Sequence, residues 1–231
     1  MILFSIVRVE SLKDLGLFGH ELVSQGLFLL NMQMLGMLIG GVIWGVIGDK
    51  KGRLTILFGS IILYSTANFL NGFVQNVEQY AILRFLSGIG LAGELGGGVT
   101  LVSEMMTKNS RGYATMLIAT FGVIGGVSAG FIAEHFDWRT SYIIGGILGF
   151  ILLLLRLKVK ESKIFEHTHE NAHIVKGNFL ALFTHKKLFK KYIFLIGIGL
   201  PTWFVAGILI TLSPEFAKHF GIVGTVSVAK A

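Results

Sequence analysis

Six long apolar runs constrain this chain more than any other feature of its sequence. Each run holds about 20 residues, the length that a helix needs to cross the hydrocarbon core of a bilayer. The six predicted spans cover residues 26–47, 54–74, 80–102, 113–133, 138–157 and 192–212. The sequence therefore predicts an all-α, polytopic helical membrane protein.

Composition and pattern exclude the main alternatives. With 53% hydrophobic and only 14% charged residues, the chain has too little charge to cover the surface of a soluble domain. The runs do not alternate between polar and apolar residues, as the strands of a membrane barrel would. The absence of cysteine excludes disulfides, thiolate catalysis and cysteine-based metal centres.

The basic residues lie mainly on one side of the predicted spans. The loops after the first, third and fifth spans carry three, two and nine of the 20 Lys and Arg residues, whereas the opposite side carries five. The positive-inside rule places the more basic side in the cytoplasm. Topology thus explains the net charge of +7, and no nucleic-acid partner is expected.

Two segments outside the spans are ambiguous. Residues 1–9 are apolar but too short to span and lack the features of a signal peptide, so they are either a local hydrophobic start or the end of a helix. The polar stretch 158–191 contains four of the seven His. Its second half, 178–191, mixes apolar residues with Lys and fits either a helix on an anionic membrane surface or a solvated linker.

The turn between the first two spans carries the most specific pattern. Its defining residues are Gly45, Gly48, Asp49, Lys50, Lys51, Gly52 and Arg53. Gly52 can adopt a positive φ, and Asp49 can accept hydrogen bonds at a helix end beside basic residues. We expect this cluster to hold one conformation and to break in another. A plain basic turn would explain the cations but not Asp49 and the glycines.

This turn resembles the signature between helices two and three of the major facilitator superfamily, with Leu54 where a second basic residue is usual. Further stretches also resemble motifs of that superfamily. They are Arg84 with Gly88 and Gly90, Glu104 with Arg111 and Gly112, Asp137-Trp138-Arg139, and Glu161-Ser162 with Phe165. The last of these is similar to sugar porters and metabolite–proton symporters. The glycine-rich run 113–133 resembles a gating helix of the family.

The resemblance implies a fold of twelve helices in two halves, of which this chain would supply helices two to seven and the end of helix one. Residues 1–157 would then be an incomplete N-terminal bundle, and 158–191 a cytoplasmic central loop. Residues 192–231 would be the first helix of the C-terminal bundle with a truncated tail. The expected location is the inner membrane of a bacterium.

Arg84 and Glu94 are the charged residues placed well inside a predicted span. A charge at the bilayer centre is costly, so each side chain is expected to face protein or water. We predict that Glu94 binds a proton or contacts the solute; the alternative is a structural carboxylate. For Arg84 the resemblance implies a coupling role, against a structural ion pair. About 15 Å of helix separates the two, so each needs another partner.

Further polar groups lie within the spans. Pro201 interrupts the last span, and the resemblance makes Thr202 and Trp203 candidate solute contacts; the alternative is a packed kink. Asn31, Gln33, Asn68 and Asn71 either line a cavity or join helices.

Two patterns have a simpler explanation than the function they suggest. Gly88, Gly90 and Gly93 match the dinucleotide-binding G-x-G-x-x-G, but they lie inside a span, where small residues favour close helix packing. His167, His169 and His173 have metal-like spacing in a loop without a fixed surrounding, so no metal site is expected. No phosphate-binding loop or catalytic cluster occurs, so no cofactor, catalytic residue or enzyme activity is expected.

The sequence thus predicts secondary active transport of a small polar solute, such as a sugar or an organic acid, by alternating access with proton coupling. We expect the 231-residue chain to be inactive alone and to need a chain that supplies the missing helices. The alternative is a non-transporting membrane component, either a split half or a degenerate gene product.

Overall fold

The computed structural model describes residues 2–158, 161, 177–210, 212, 216 and 220, and its regular elements are all helical. The helices are α1 (Ile2–Asp14), α2 (Gly19–Lys51), α3 (Arg53–Asn71), α4 (Val77–Met105), α5 (Arg111–His135), α6 (Trp138–Leu155), α7 (Ala181–Thr184) and α8 (Lys186–Phe204). A 3₁₀ turn, Arg156–Lys158, extends α6. A π-helical segment, Val205–Ile210, extends α8 after Pro201.

Six helices are long and apolar enough to cross a membrane, namely α2 to α6 and α8. They coincide with the six predicted spans, which confirms the predicted polytopic helical fold. α2 begins at Gly19, seven residues before the predicted span, because polar residues such as His20 and Glu21 end the apolar run without ending the helix. α1 likewise continues beyond residue 9, to Asp14.

The segment before α8 differs from the surface helix considered for 178–191. The described chain instead forms the four-residue α7 and then breaks at His185, whose φ of −101° and ψ of 106° are extended. The lysines of this segment belong to the first turns of α8, which continues directly into the apolar part of that helix. The interpretation of residues 178–191 as one helix on the membrane surface is therefore wrong.

α4 is the centre of the packing. It lies between α2 and α3, and α3 in turn packs against α6, while α1 contacts α2, α5 and α6. Close approach depends on glycine: a Cβ built on Gly40 would lie 2.6 Å from the Ile89 carbonyl oxygen, and one on Gly90 would lie 2.7 Å from the Tyr64 nitrogen. Gly88 and Gly93 also face neighbouring helices, which confirms that the G-x-G-x-x-G pattern serves packing.

Two helices contribute little to this core. Of the 25 described residues of α5, only Gly130 is buried. α8 packs mainly against α7 and its own π-helical extension. The packed body of the described chain is therefore formed by α1, α2, α3, α4 and α6.

The bundle has two distinct ends. At the basic end α2 finishes at Lys51, α3 begins at Arg53 and α6 finishes at Leu155. At the aromatic end α1 finishes at Asp14 and α6 begins at Trp138. Each end holds a separate group of polar side chains.

Candidate functional site

Arg53 joins three helices at the basic end. Its Nη2 and Nε donate to Oε1 of Glu104 on α4, at 3.0 and 3.2 Å. Its Nη1 donates to Oδ1 of Asp49 at 3.0 Å and to the Gly48 carbonyl at 2.7 Å, both on α2. Charge-assisted hydrogen bonds are stronger than neutral ones, so one guanidinium at the start of α3 ties α2 to α4.

The turn that places Arg53 depends on Gly52. Its φ of 99° lies in the region that favours glycine, as the sequence predicted. The Gly52 N–H donates to the Gly48 carbonyl, 3.1 Å away, and closes α2 one residue before α3 begins. The two helices therefore meet within a single residue, and Arg53 reaches back over the end of α2.

A carboxylate from beyond α6 caps α3. Oε2 of Glu161 accepts a hydrogen bond from the backbone N–H of Leu54 at 3.0 Å. The first N–H groups of a helix lack partners within it and carry partial positive charge, which favours a carboxylate. Asp49 accepts a hydrogen bond from Arg53, one of the basic residues beside it, and the N–H of Leu54 at the start of α3 donates to Glu161 and not to Asp49.

The other residues of the predicted gating motif have different surroundings. Nε of Arg111 donates to the Met106 carbonyl at 3.3 Å, within its own loop. Lys50 is exposed at the end of α2. A Cβ built on Gly45 would meet open space.

A cavity of about 260 Å³ lies beside this cluster, between α2, α3 and α4. Asp49 and Arg53 form its polar part, and Trp44 and Thr100 also line it. Trp44 closes one side, because its Nε1 donates to the Ile89 carbonyl on α4 at 2.8 Å. The open Gly45 lines the same cavity, so this glycine widens the space instead of packing a helix.

Glu94 is paired with Arg156. Oε1 of Glu94 lies 2.5 Å from Nη2 of Arg156, and both side chains are roughly one-fifth exposed. The second carboxylate oxygen and the second terminal nitrogen, Oε2 and Nη1, are buried without hydrogen-bond partners in the described chain. The sequence assigned Arg156 to a basic loop, but the structure makes it the partner that Glu94 requires.

Arg84 is surrounded by aromatic rings at the aromatic end. It is 1% exposed, and its guanidinium carbon lies 4.9 Å from the centre of the Tyr142 ring and 5.4 Å from that of Phe4. Its Nη2 donates to Oδ1 of Asn68 at 2.9 Å, whereas its Nε has no hydrogen-bond partner in the described residues. Among the described residues, Arg84 does not form the ion pair that was the structural alternative. Cation–π contacts and the amide of Asn68 hold this guanidinium instead.

The hydroxyl groups around Arg84 form a buried chain. The Tyr80 and Tyr142 hydroxyls lie 2.7 Å apart, and Ser11 Oγ lies 3.3 Å from the Tyr80 hydroxyl. Both phenols are fully buried. This network joins α1, α4 and α6, and the sequence pattern alone had not indicated it.

The outermost part of the aromatic end is a second group that the sequence analysis did not assign. Arg139 donates through Nη2 to Asp14 Oδ2 at 3.2 Å and through Nη1 to the Val74 carbonyl at 2.8 Å. Trp138 Nε1 donates to the same Asp14 oxygen at 3.3 Å. The residues of this group are far apart in the sequence, and only the Trp138-Arg139 pair was recognised, as part of a motif.

The remaining candidates occupy different surroundings. Gln33 is fully buried, and both atoms of its amide lack hydrogen-bond partners in the described chain. Asn31 is exposed, and Asn71 donates to a carbonyl of its own helix. Thr202 is exposed on α8, whereas the side chain of Trp203 lies outside the described residues. His167, His169, His173, Ser162 and Phe165 also lie outside them.

Comparison with known proteins places these groups in a family. The sequence profile of the Major Facilitator Superfamily matches residues 11–230. Over 139 residues the chain is 32% identical to the niacin transporter NiaP of Acinetobacter baylyi. The aligned residues make up 58% of this chain and 32% of that protein. Over 191 residues the chain is 28% identical to the sialic acid transporter NanX of Escherichia coli. That alignment covers 80% of this chain and 45% of NanX.

The fold is similar to a solved transporter structure. The inward-open xylose transporter XylE of E. coli matches with a TM-score of 0.64 at 19% identity, over 93% of this chain and 61% of that one. The matched part of the chain therefore corresponds to 32%, 45% and 61% of the lengths of these three proteins, which is less than two thirds in each case. By its profile match and its membrane helices, the chain belongs to the major facilitator superfamily, a family of membrane transporters and not of enzymes.

Proposed function

We propose that this chain is part of a proton-coupled secondary transporter that moves a small polar solute by alternating access. The observation that carries the proposal is the charged pair Glu94–Arg156, which joins the central helix α4 to the end of α6. A proton on Glu94 would remove its negative charge and release Arg156, so proton binding would change how α4 and α6 are held together.

The basic end would act as the gate of this carrier. Arg53 holds Asp49 and Glu104 with side chains that remain partly exposed, so these contacts can separate without opening a buried apolar core. We place this end in the cytoplasm of a bacterium, since most basic residues lie there. Both relatives named above are bacterial proteins.

The described helices would supply one wall of the solute pathway. α1 to α6 would belong to the N-terminal bundle, and α8, which packs mainly on α7, would begin the second bundle. Thr202 and Trp203 would then face the solute from that second bundle. Transporter sites of this kind lie between two halves, so the 231-residue chain alone would not transport.

The first test is uptake into proteoliposomes with an imposed proton gradient. Niacin, sialic acid and xylose are the solutes to try, because they are named for the similar proteins. We expect one of them, or a related sugar or organic acid, to accumulate when the chain is co-expressed with helices that complete the second bundle. Accumulation by the 231-residue chain alone would contradict the proposed need for a second half.

The second test addresses Glu94. In a transporting assembly, Glu94→Gln should remove proton-driven accumulation and leave solute exchange in place. The matched control is Glu134→Gln, which neutralises an exposed carboxylate near the end of α5. Proton coupling that persists in Glu94→Gln would remove this residue from the mechanism.

A non-transporting membrane component remains the second candidate, and the exposure of α5 and α8 favours it. A split half would bury these helices against a partner chain. Co-purification of a second polypeptide with the chain, together with no uptake of any solute by the complex, would support this alternative.

A further inference from the structure

The start of α8 carries an unbalanced positive charge. Lys186, Lys187, Lys190 and Lys191, here called the lysine patch, lie within its first six residues. The described segment 177–210 contains no Asp or Glu. The patch forms two like-charged pairs at i,i+4 spacing, an arrangement that destabilises an isolated helix.

The lysine patch differs from the three arginines of the described chain that hold carboxylates. Arg53 pairs with two carboxylates, and Arg139 and Arg156 pair with one each. Among the described residues, no carboxylate lies within 4.0 Å of a patch ammonium group. Within the described residues, the charge of the patch is therefore not balanced by a carboxylate.

Exposed apolar side chains lie beside the patch. The Phe183 ring lies 5.3 Å from Phe179, 6.1 Å from Phe189 and 6.2 Å from Tyr192, so α7 folds onto the start of α8. Phe183 is 51% exposed and Leu180 70%. Apolar rings next to lysines, at the point where a spanning helix begins, match the composition of a membrane–water interface.

We propose that the lysine patch and α7 form a docking surface for the head groups of anionic phospholipids. The phosphates would supply the negative charge that the described segment 177–210 lacks, while the exposed rings would enter the adjacent apolar layer. The Nζ atom of Lys190 lies 5.8 Å from the centre of the Phe194 ring, so this ammonium group is positioned next to apolar surface. This proposal is independent of the solute and of proton coupling.

The experiment uses the 231-residue chain in mixed micelles, where native mass spectrometry counts retained phosphatidylglycerol against retained phosphatidylcholine. We expect the wild-type chain to prefer phosphatidylglycerol. The double variant Lys190→Gln/Lys191→Gln should weaken that preference by about fivefold per lysine at low salt. The matched control, Lys13→Gln/Lys108→Gln, removes two exposed lysines that lie outside the patch and outside the predicted gating motif, and it should change little.

Two further measurements separate lipid docking from misfolding. Replacement of all four patch lysines by arginine keeps the charge and should keep the preference, whereas replacement of all four by glutamine should abolish it. High salt should weaken the wild-type preference. An unchanged preference in the glutamine variants, an equal loss in the control, or insensitivity of the wild type to salt would each overturn the proposal.

Discussion

Two arginines, one at each end of the bundle, are held in opposite ways. Arg53 at the basic end pairs with carboxylates from α2 and α4, and its side chain is 17% exposed. Arg84 at the aromatic end is almost fully buried among rings and donates to one amide. Ion pairs near water exchange one partner for another at small cost, whereas buried aromatic packing does not. We therefore expect the basic end to separate in the proposed carrier and the aromatic end to stay closed.

The strongest test of this comparison is Tyr80→Ala at the aromatic end. The change removes a fully buried ring that contacts Phe4, Trp138 and Tyr142, and it leaves the Ser11 hydroxyl without that partner. We expect a loss of about 4 kcal/mol in the free energy of unfolding. Thermal unfolding in detergent, followed by intrinsic fluorescence, measures it.

The control for Tyr80 is Phe121→Ala, which removes a ring that is 68% exposed on α5. Its unfolding temperature should stay close to that of the wild type. Equal losses in the two variants would show that the aromatic end is no more rigid than a surface helix.

A second prediction concerns the contact of α2 with α4, which links the two ends. Gly40→Leu places a side chain against the Ile89 backbone, whereas Gly41→Leu points into open space. We expect Gly40→Leu to cost about 2–3 kcal/mol and its neighbour to cost little. The unfolding temperatures of the two variants, measured side by side, test this expectation. Similar values would contradict the close approach of α2 to α4 at Gly40.

At the basic end, Arg53→Gln should have a smaller effect. It removes the hydrogen bonds to Asp49 and Glu104, and we expect a loss of about 1–2 kcal/mol that shrinks at high salt. Lys51→Gln removes an exposed charge from the same turn without removing a side-chain hydrogen bond or ion pair seen among the described residues, and it serves as the control. A salt-independent loss in Arg53→Gln would mean that packing, and not charge, holds this end.

The smallest expected effect lies at the start of α6. Hydrogen bonds from the Thr140 side chain, and from the backbone of Thr140 and Arg139, hold the pKa of Asp137 below its ordinary value. A lowered carboxyl pKa stabilises the fold above about pH 4 and loses that contribution as the pH falls through the lowered value.

Asp137→Ala should therefore cost about 0.5–1 kcal/mol at neutral pH and nothing extra in acid. Unfolding temperatures of the wild type and the variant, measured at pH 7 and in acid below the lowered pKa, check this difference. A constant gap between wild type and variant across this range would exclude the carboxylate as its cause.

Much of the fold followed from the sequence because the length of an apolar run is a local property. The six spans and the bend at Gly52 depend only on neighbouring residues, and they were predicted correctly. The break at His185 was missed because nothing in the local composition marks it. The lysines that follow His185 and the residues that precede it are equally compatible with a helix.

The polar pairings could not be obtained in this way. Arg156 was assigned to a loop because it follows an apolar run, and only the position of α4 beside the end of α6 brings it to Glu94. Asp14 and Arg139 are separated by 125 residues and meet because α1 and α6 end at the same level. Such contacts depend on helix packing, which hydropathy and motif spacing do not specify.

Trp44 makes the contact between α2 and α4 observable. Its indole donates to the Ile89 carbonyl in the same region where Gly40 brings the two backbones together, so we expect α2 and α4 to shift as one unit in the proposed carrier. The emission wavelength of this indole depends on that hydrogen bond and on the water in the cavity beside it. A chain in which Trp138 and Trp203 are replaced by Phe would thus carry its own spectroscopic reporter, and no external label would be needed to follow the cavity as it fills or empties.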